Sequence, residues 1–218
     1  MNRLRSSSAA TQAQTRHYAD HVDVLVTQLR NEIGVPERAA GAPAVIVLMG
    51  YPGVGKSHCA RLLAARLGAA HVASDQLRSR LFIAPSYSDL ENATLFKCLD
   101  ALVDGLLADR HRVIVDATNL QARYRAASVG AAERRGAPVV FVWVASDESA
   151  TRSRLARRRD ARAADDHSDA DERVYERMRE RPFEPPEGGH LELVNGPALD
   201  REIERIAREV ERACASGI

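Results

Sequence analysis

The chain has 218 residues, 45% hydrophobic and 28% charged, which suits one globular domain with room for a short appendage. A formal net charge of +1 gives the chain as a whole no pull towards nucleic acid or anionic lipid, and 5% aromatics are few for a base-stacking platform. Its three cysteines, Cys59, Cys98 and Cys214, lie far apart without metal-ligand spacing, which excludes a disulfide scaffold and a zinc site.

Residues 1–17 are rich in Ser, Ala, Gln and Arg, without periodicity, and read as a disordered tail. They hold no apolar signal-peptide core, and no run in the chain approaches the roughly 18 apolar residues of a membrane span. A cytoplasmic protein with no membrane contact is expected. Tyr18, Val22, Leu25, Leu29 and Ile33 then form one stripe of an amphipathic helix, closed by Gly34 and followed by a VPERAAGAP linker. This appendage, 1–43, serves either as a helix docked on its own domain or as one offered to a partner.

From Ala44 to residue 218 the pattern alternates between strand and helix. AVIVLM (44–49) is a wholly apolar, β-branched run, typical of a strand buried on both faces. A helix is expected from about Gly55, a short strand over HVAS (71–74) and a long helix over 89–108. A strand follows over 112–117, a helix over 121–135 and a strand over 138–145. Polar helices over 147–163 and 169–181, a last strand over 191–194 and a helix over 199–214 complete the chain. Five strands alternating with helices imply an α/β fold, a parallel sheet covered on both faces.

GYPGVGKS (50–57) fits the pattern G-x-x-x-x-G-K-[ST] between a buried strand and a helix. Gly50, Gly53 and Gly55 permit positive φ and close approach to phosphate. The amides of Val54, Gly55, Lys56, Ser57 and His58, with the positive end of the following helix, then cradle an anion. Lys56 brings a point charge to the β/γ-phosphates of ATP, and Ser57 a hydroxyl to Mg²⁺. Only Lys56 and Lys97 are lysines among 31 basic residues, so lysine at this position points to a need for a compact ammonium.

Three further features point to phosphoryl transfer. Asp75, in SDQLR (74–78), follows the second strand, where ligands of open α/β sheets gather. It is placed either to take the proton of an acceptor hydroxyl, with Arg78 one turn on for an anionic group, or merely to cap the next helix. Asp116 ends the buried strand VIVDATN (113–119), as an acid that holds the water shell of Mg²⁺ does. TRSRLARRRDAR (151–162) packs six arginines into twelve residues beside the acidic stretch DDHSDADE (165–172). That run is either a lid over phosphates or a solvated helix face.

Taken in order, GYPGVGKS, HVASDQLR, RHRVIVDATN, the Arg-rich run and RPFEPPEGG resemble the polynucleotide-kinase-like P-loop kinases, over about Val45 to Asn195. The resemblance implies a P-loop NTPase fold with five parallel strands in the order 2-3-1-4-5 and an Arg-rich lid. It implies ATP and Mg²⁺ as cofactors, with Lys56 and Ser57 on phosphates and metal, Asp116 on the metal side and Asp75 as general base. Arg78, Thr118, Asn119 and Arg125 fall on the acceptor side. Arg154 and Arg158 match the paired lid arginines, one near the ATP phosphates and one near the adenine. The acceptor implied is a nucleic-acid 5′-hydroxyl. Related kinases with the same logic act on small molecules such as sugar acids, sugar nucleotides and adenylylsulfate, and an ATP-binding regulator without transferase activity is a third possibility.

Overall fold

The unbroken apolar run of β1 (Ala44–Met49) has no polar face to offer water, and the computed structural model buries all of it. The structure describes residues 22–37, 39, 41–82, 85, 88–161, 172–180 and 183–216, without the side chains of 158–161. β1 sits at the centre of the sheet, between β3 (Arg112–Asp116) and β4 (Val139–Ala145). β2 (Ala70–Ala73) pairs with β3 and β5 (Leu191–Val194) with β4, every pairing parallel, in the order β2-β3-β1-β4-β5. The expected fold and strand order are therefore observed.

The period of two along each strand divides the core into two layers. Val45, Val47 and Met49 face one layer with residues of α1 (Val22–Glu32), α3 (Ser74–Leu81), α4 (Asp89–Ala108) and α5 (Ala122–Arg135). Ala44, Ile46 and Leu48 face the other, covered by α2 (Lys56–Leu67) and α8 (Leu199–Ser216). Between β4 and β5 run the polar helices α6 (Glu148–Ala161) and α7 (Glu172–Arg179). Parallel strands put all their carboxyl ends on one edge, and the loops after β1, β2, β3 and β4 gather there. The segment 162–171, the tip of the expected lid, lies outside the described residues, as do residues 1–21.

The apolar stripe of α1 lies on the domain. Leu29 is 4% exposed and joins Val22 in the core layer, with Leu25, Val26 and Ile33 packed against it. Arg30 adds an ion pair to Asp109 just past the end of α4. Leu29→Ala is therefore expected to cost about 2 kcal/mol, at the low end for a buried Leu because a peripheral helix can relax into the space. In thermal melts that is a drop of roughly 4–8 °C for a chain of this size. An unchanged melting temperature would mean that α1 contributes nothing to the domain.

Candidate active site

The loop between β1 and α2 has its shape for local steric reasons. Gly55 stands at φ 94°, which strains any other residue, and a Cβ there would fall 2.1 Å from Nδ2 of Asn195 and push it off its partner. Gly53, at φ 81°, is closed in by Leu155 and Thr151 of α6, 2.8 Å and 3.1 Å from where its Cβ would be. The first turn of α2 has no side-chain cap and no acidic residue, so the positive end of the helix dipole meets no carboxylate within that turn. Lys56 Nζ folds back to donate to the carbonyl of Tyr51 at 2.9 Å, which arches the side chain over the loop.

A closed ring of hydrogen bonds braces this loop from the β4–β5 side. Asn195 Nδ2 donates to the Val54 carbonyl at 2.8 Å, while the Asn195 carbonyl accepts from the Ser146 hydroxyl at 3.4 Å. Arg154 donates to Ser146 Oγ at 2.9 Å and to the carbonyls of Gly53 at 3.3 Å and Val54 at 3.5 Å. Arg154 thus lies against the glycine-rich loop. The side chain of Arg158 lies outside the described residues. Ser146 and Asn195, each just past a strand end, escape sequence reading because a lone polar residue after a strand looks like any loop residue.

At the end of β3, Asp116 is 4% exposed. Its carboxylate is 3.1 Å from His71 Nε2, and the Ser57 hydroxyl and the Lys56 charge face it from α2. Burial pushes the Asp116 carboxyl up, but the His71 hydrogen bond, the His71 and Lys56 charges and the Ser57 hydroxyl outweigh it and hold it below the usual carboxylate range. A buried carboxylate kept ionised and facing a hydroxyl is an oxygen donor set suited to a hard cation. Among the described residues no group of three or more His, Cys, Asp or Glu forms a metal cage.

Asp75 is exposed in the first turn of α3, at the carboxyl end of β2. Ala73, not Asp75, occupies the N-cap position, and Asp75 brings a favourable charge to the positive end of the helix. Arg78 follows one turn on but is 8% exposed, paired to the fully buried Glu91 and donating to Asn92 Oδ1 at 2.7 Å.

Two expected acceptor contacts, Asn119 and Arg125, hold backbone carbonyls in the structure. Asn119 is 2% exposed with φ 50°, its Nδ2 donating to the Leu48 carbonyl at 2.8 Å, which ties the loop after β3 to β1. Arg125 is 4% exposed and donates to the carbonyls of Asn119 at 2.8 Å and Glu184 at 2.7 Å. Both are braces. Buried donors must be paired, and here backbone carbonyls pair them. Thr118 is half-buried, and its carbonyl accepts from the Gly50 amide at 3.1 Å, while His58 is exposed on the first turn of α2.

Cys59 lies beneath this site on α2, fully buried, and burial with the neighbouring Asp116 charge pushes its thiol up to about 11. Burial alone pushes Cys98 to about 11. Both thiols stay protonated at neutral pH, and only a thiolate alkylates. Native protein treated with iodoacetamide at pH 7.5 is expected to leave Cys59 and Cys98 unmodified, as peptide mass mapping would show; rapid labelling of Cys59 would mean that the α2 layer opens readily.

A family model described as an AAA domain matches residues 45–186. The chain belongs to that family. No curated protein matches the sequence. Solved structures similar in fold include the APS kinase of Mycobacterium tuberculosis in complex with AMPPNP and APS, with TM-score 0.56 and 22% identity over 78% of this chain and 99% of that one. Chaetomium thermophilum Kti12 in complex with ADP-AlF3 gives TM-score 0.64 and 21% identity over 78% and 98%. A gluconokinase from Sinorhizobium meliloti 1021 gives 0.54 and 19% over 83% and 97%. At these identities the likeness is one of fold, which this AAA domain shares with an APS kinase, Kti12 and a gluconokinase. The narrower resemblance to polynucleotide kinases gains no support from these structures. No helix among the described residues is long and apolar enough to cross a membrane.

Proposed function

We propose that this AAA domain is an ATP-dependent kinase that transfers the γ-phosphate of ATP·Mg²⁺ to a hydroxyl. One observation carries the reading: an uncapped phosphate loop with Lys56, the Asp116–Ser57 pair and the exposed Asp75 all stand at one edge of a parallel sheet. A nucleotide switch needs the first two but has no use for an exposed acid at the end of β2.

In this mechanism the loop amides and the start of α2 hold the phosphates, and Lys56 offsets their charge. Arg154, already against Gly53 and Val54, adds a second cation on the lid side. Ser57 and Asp116 would hold Mg²⁺, which supplies charge neutralisation at the phosphates. The acceptor oxygen forms its bond to Pγ as the bond from Pγ to the bridging oxygen breaks. The bridging electrons stay with the departing diphosphate, and Asp75 takes the hydroxyl proton late in a loose transition state. Positioning and charge account for most of the rate.

For the acceptor we favour a small-molecule hydroxyl. Arg78 and Arg125, the arginines that a polynucleotide phosphate would need, are held by Glu91, Asn92 and backbone carbonyls. A nucleic-acid 5′-hydroxyl is the second reading, supported by the order of motifs along the chain. ADP release over a panel of sugars, sugar acids, nucleosides, adenylylsulfate and a 5′-hydroxyl oligonucleotide tests both. Turnover with the oligonucleotide alone would reverse the choice of acceptor. ATP binding without turnover on any member would favour an ATP-binding regulator.

A further inference from the structure

β2 reads Ala70, His71, Val72, Ala73: a strand of small and apolar residues interrupted by one imidazole. The parallel register sets Ala73 opposite Asp116, so His71, two residues back, points to the same face of the sheet as the carboxylate. Its side chain is 18% exposed, and Nε2 stands 3.1 Å from Asp116 Oδ2. Ser57 and Lys56 approach the same carboxylate from α2. Asp116 is thus gripped from two elements: from α2 by groups that a bound nucleotide would also engage, and from β2 by His71.

We propose that His71 is a positioning residue for the metal-facing acid, holding the Asp116 carboxylate by an Nε2–H donor so that it meets Ser57 and a Mg²⁺ ion in one fixed rotamer. This rests on the reading of Asp116 and Ser57 as the metal side of the site. A buried carboxylate with a single partner can swing about its Cα–Cβ bond, and every swing moves the oxygen that an ion or its water must find. A donor from the neighbouring strand removes that freedom before the ion arrives, as outer partners of metal-binding carboxylates do. Arg or Lys at position 71 would supply a donor too, but with a permanent positive charge beside a cation site. Imidazole supplies the donor without requiring that charge. The residue also explains how a carboxylate 4% exposed is tolerated at a strand end when no nucleotide is bound.

The test is calorimetric titration of ADP into the full chain, with and without Mg²⁺, beside a thermal melt of each variant. In wild type the metal should raise ADP affinity. His71→Ala is expected to reduce that metal-dependent gain about tenfold, the lower end for loss of an outer-shell partner, while metal-free ADP affinity stays within about threefold. His71→Gln, whose amide can donate from nearly the same place, should recover most of the gain. If His71→Ala does not fold, His71→Leu fills the space without a donor and should show the same loss. An unchanged metal gain in folded His71→Ala or His71→Leu would overturn the proposal, as would an equal loss of ADP affinity with and without metal, which marks a prop for the whole loop. A wild-type protein whose ADP affinity ignores Mg²⁺ would instead remove the metal reading of Asp116, and this inference with it.

Discussion

Asp75→Asn is expected to lower kcat about 10²–10⁴-fold on the true acceptor while ATP affinity moves only a few-fold, because the side chain meets the acceptor and not the γ-phosphate. The structure makes this substitution clean. Asp75 is exposed and is not the N-cap residue of α3, and Asn keeps its size while losing the charge that favours the start of that helix. That interaction is worth about 0.3–1 kcal/mol, too little to unfold the domain. Asp116→Asn is the control. There the loss should follow Mg²⁺ and partly recover at higher metal, since the buried carboxylate faces Ser57 and Lys56 rather than solvent. Steady-state rates, with ATP affinity measured by calorimetry, separate the two. An Asp75→Asn protein working at near wild-type rate would leave the kinase reading on the phosphate loop and Arg154 alone.

Lys56→Met is expected to lower phosphoryl transfer at least about 10²-fold, the usual effect of removing one preorganised charge from a developing transition state. Folding should hardly change. The half-buried ammonium makes a 2.9 Å hydrogen bond to the Tyr51 carbonyl, a bond of a kind that contributes about 1 kcal/mol, and the His71 donor and the Ser57 hydroxyl still face Asp116 when the lysine charge is gone. ATP affinity should also fall, which distinguishes this variant from Asp75→Asn. A Lys56→Met protein that melts near wild type and keeps more than about a tenth of the rate would show that GYPGVGKS is only a glycine-rich turn.

The elements with strong local signals were legible before any coordinates. The apolar run at 44–49, the long helix over 89–108 and the glycine-rich loop between strand and helix stand where pattern placed them. Strand order was legible only through resemblance to a known family, since alternation of strands and helices gives a parallel sheet without saying which strands are neighbours. Sequence also brought Lys56, Ser57 and Asp116 to one place, because a phosphate loop after β1 and an acid ending β3 meet wherever those strands are adjacent.

The partners of the polar residues were not legible. Arg78, Asn119 and Arg125 are chemically fit to touch a substrate, yet Glu91, Asn92, the Leu48 carbonyl and the Glu184 carbonyl hold them inside. Those partners lie between 13 and 71 residues away along the chain. No local pattern encodes such a pairing, because it is packing that decides which donor loses its water and must be satisfied. His71 and Asn195 gained importance for the same reason, one from strand register and the other from the close approach of β5 to Gly55. Backbone chemistry with a period or a fixed spacing is written locally in the residues. The assignment of each buried polar group to its partner arises only when distant segments are brought together and desolvated.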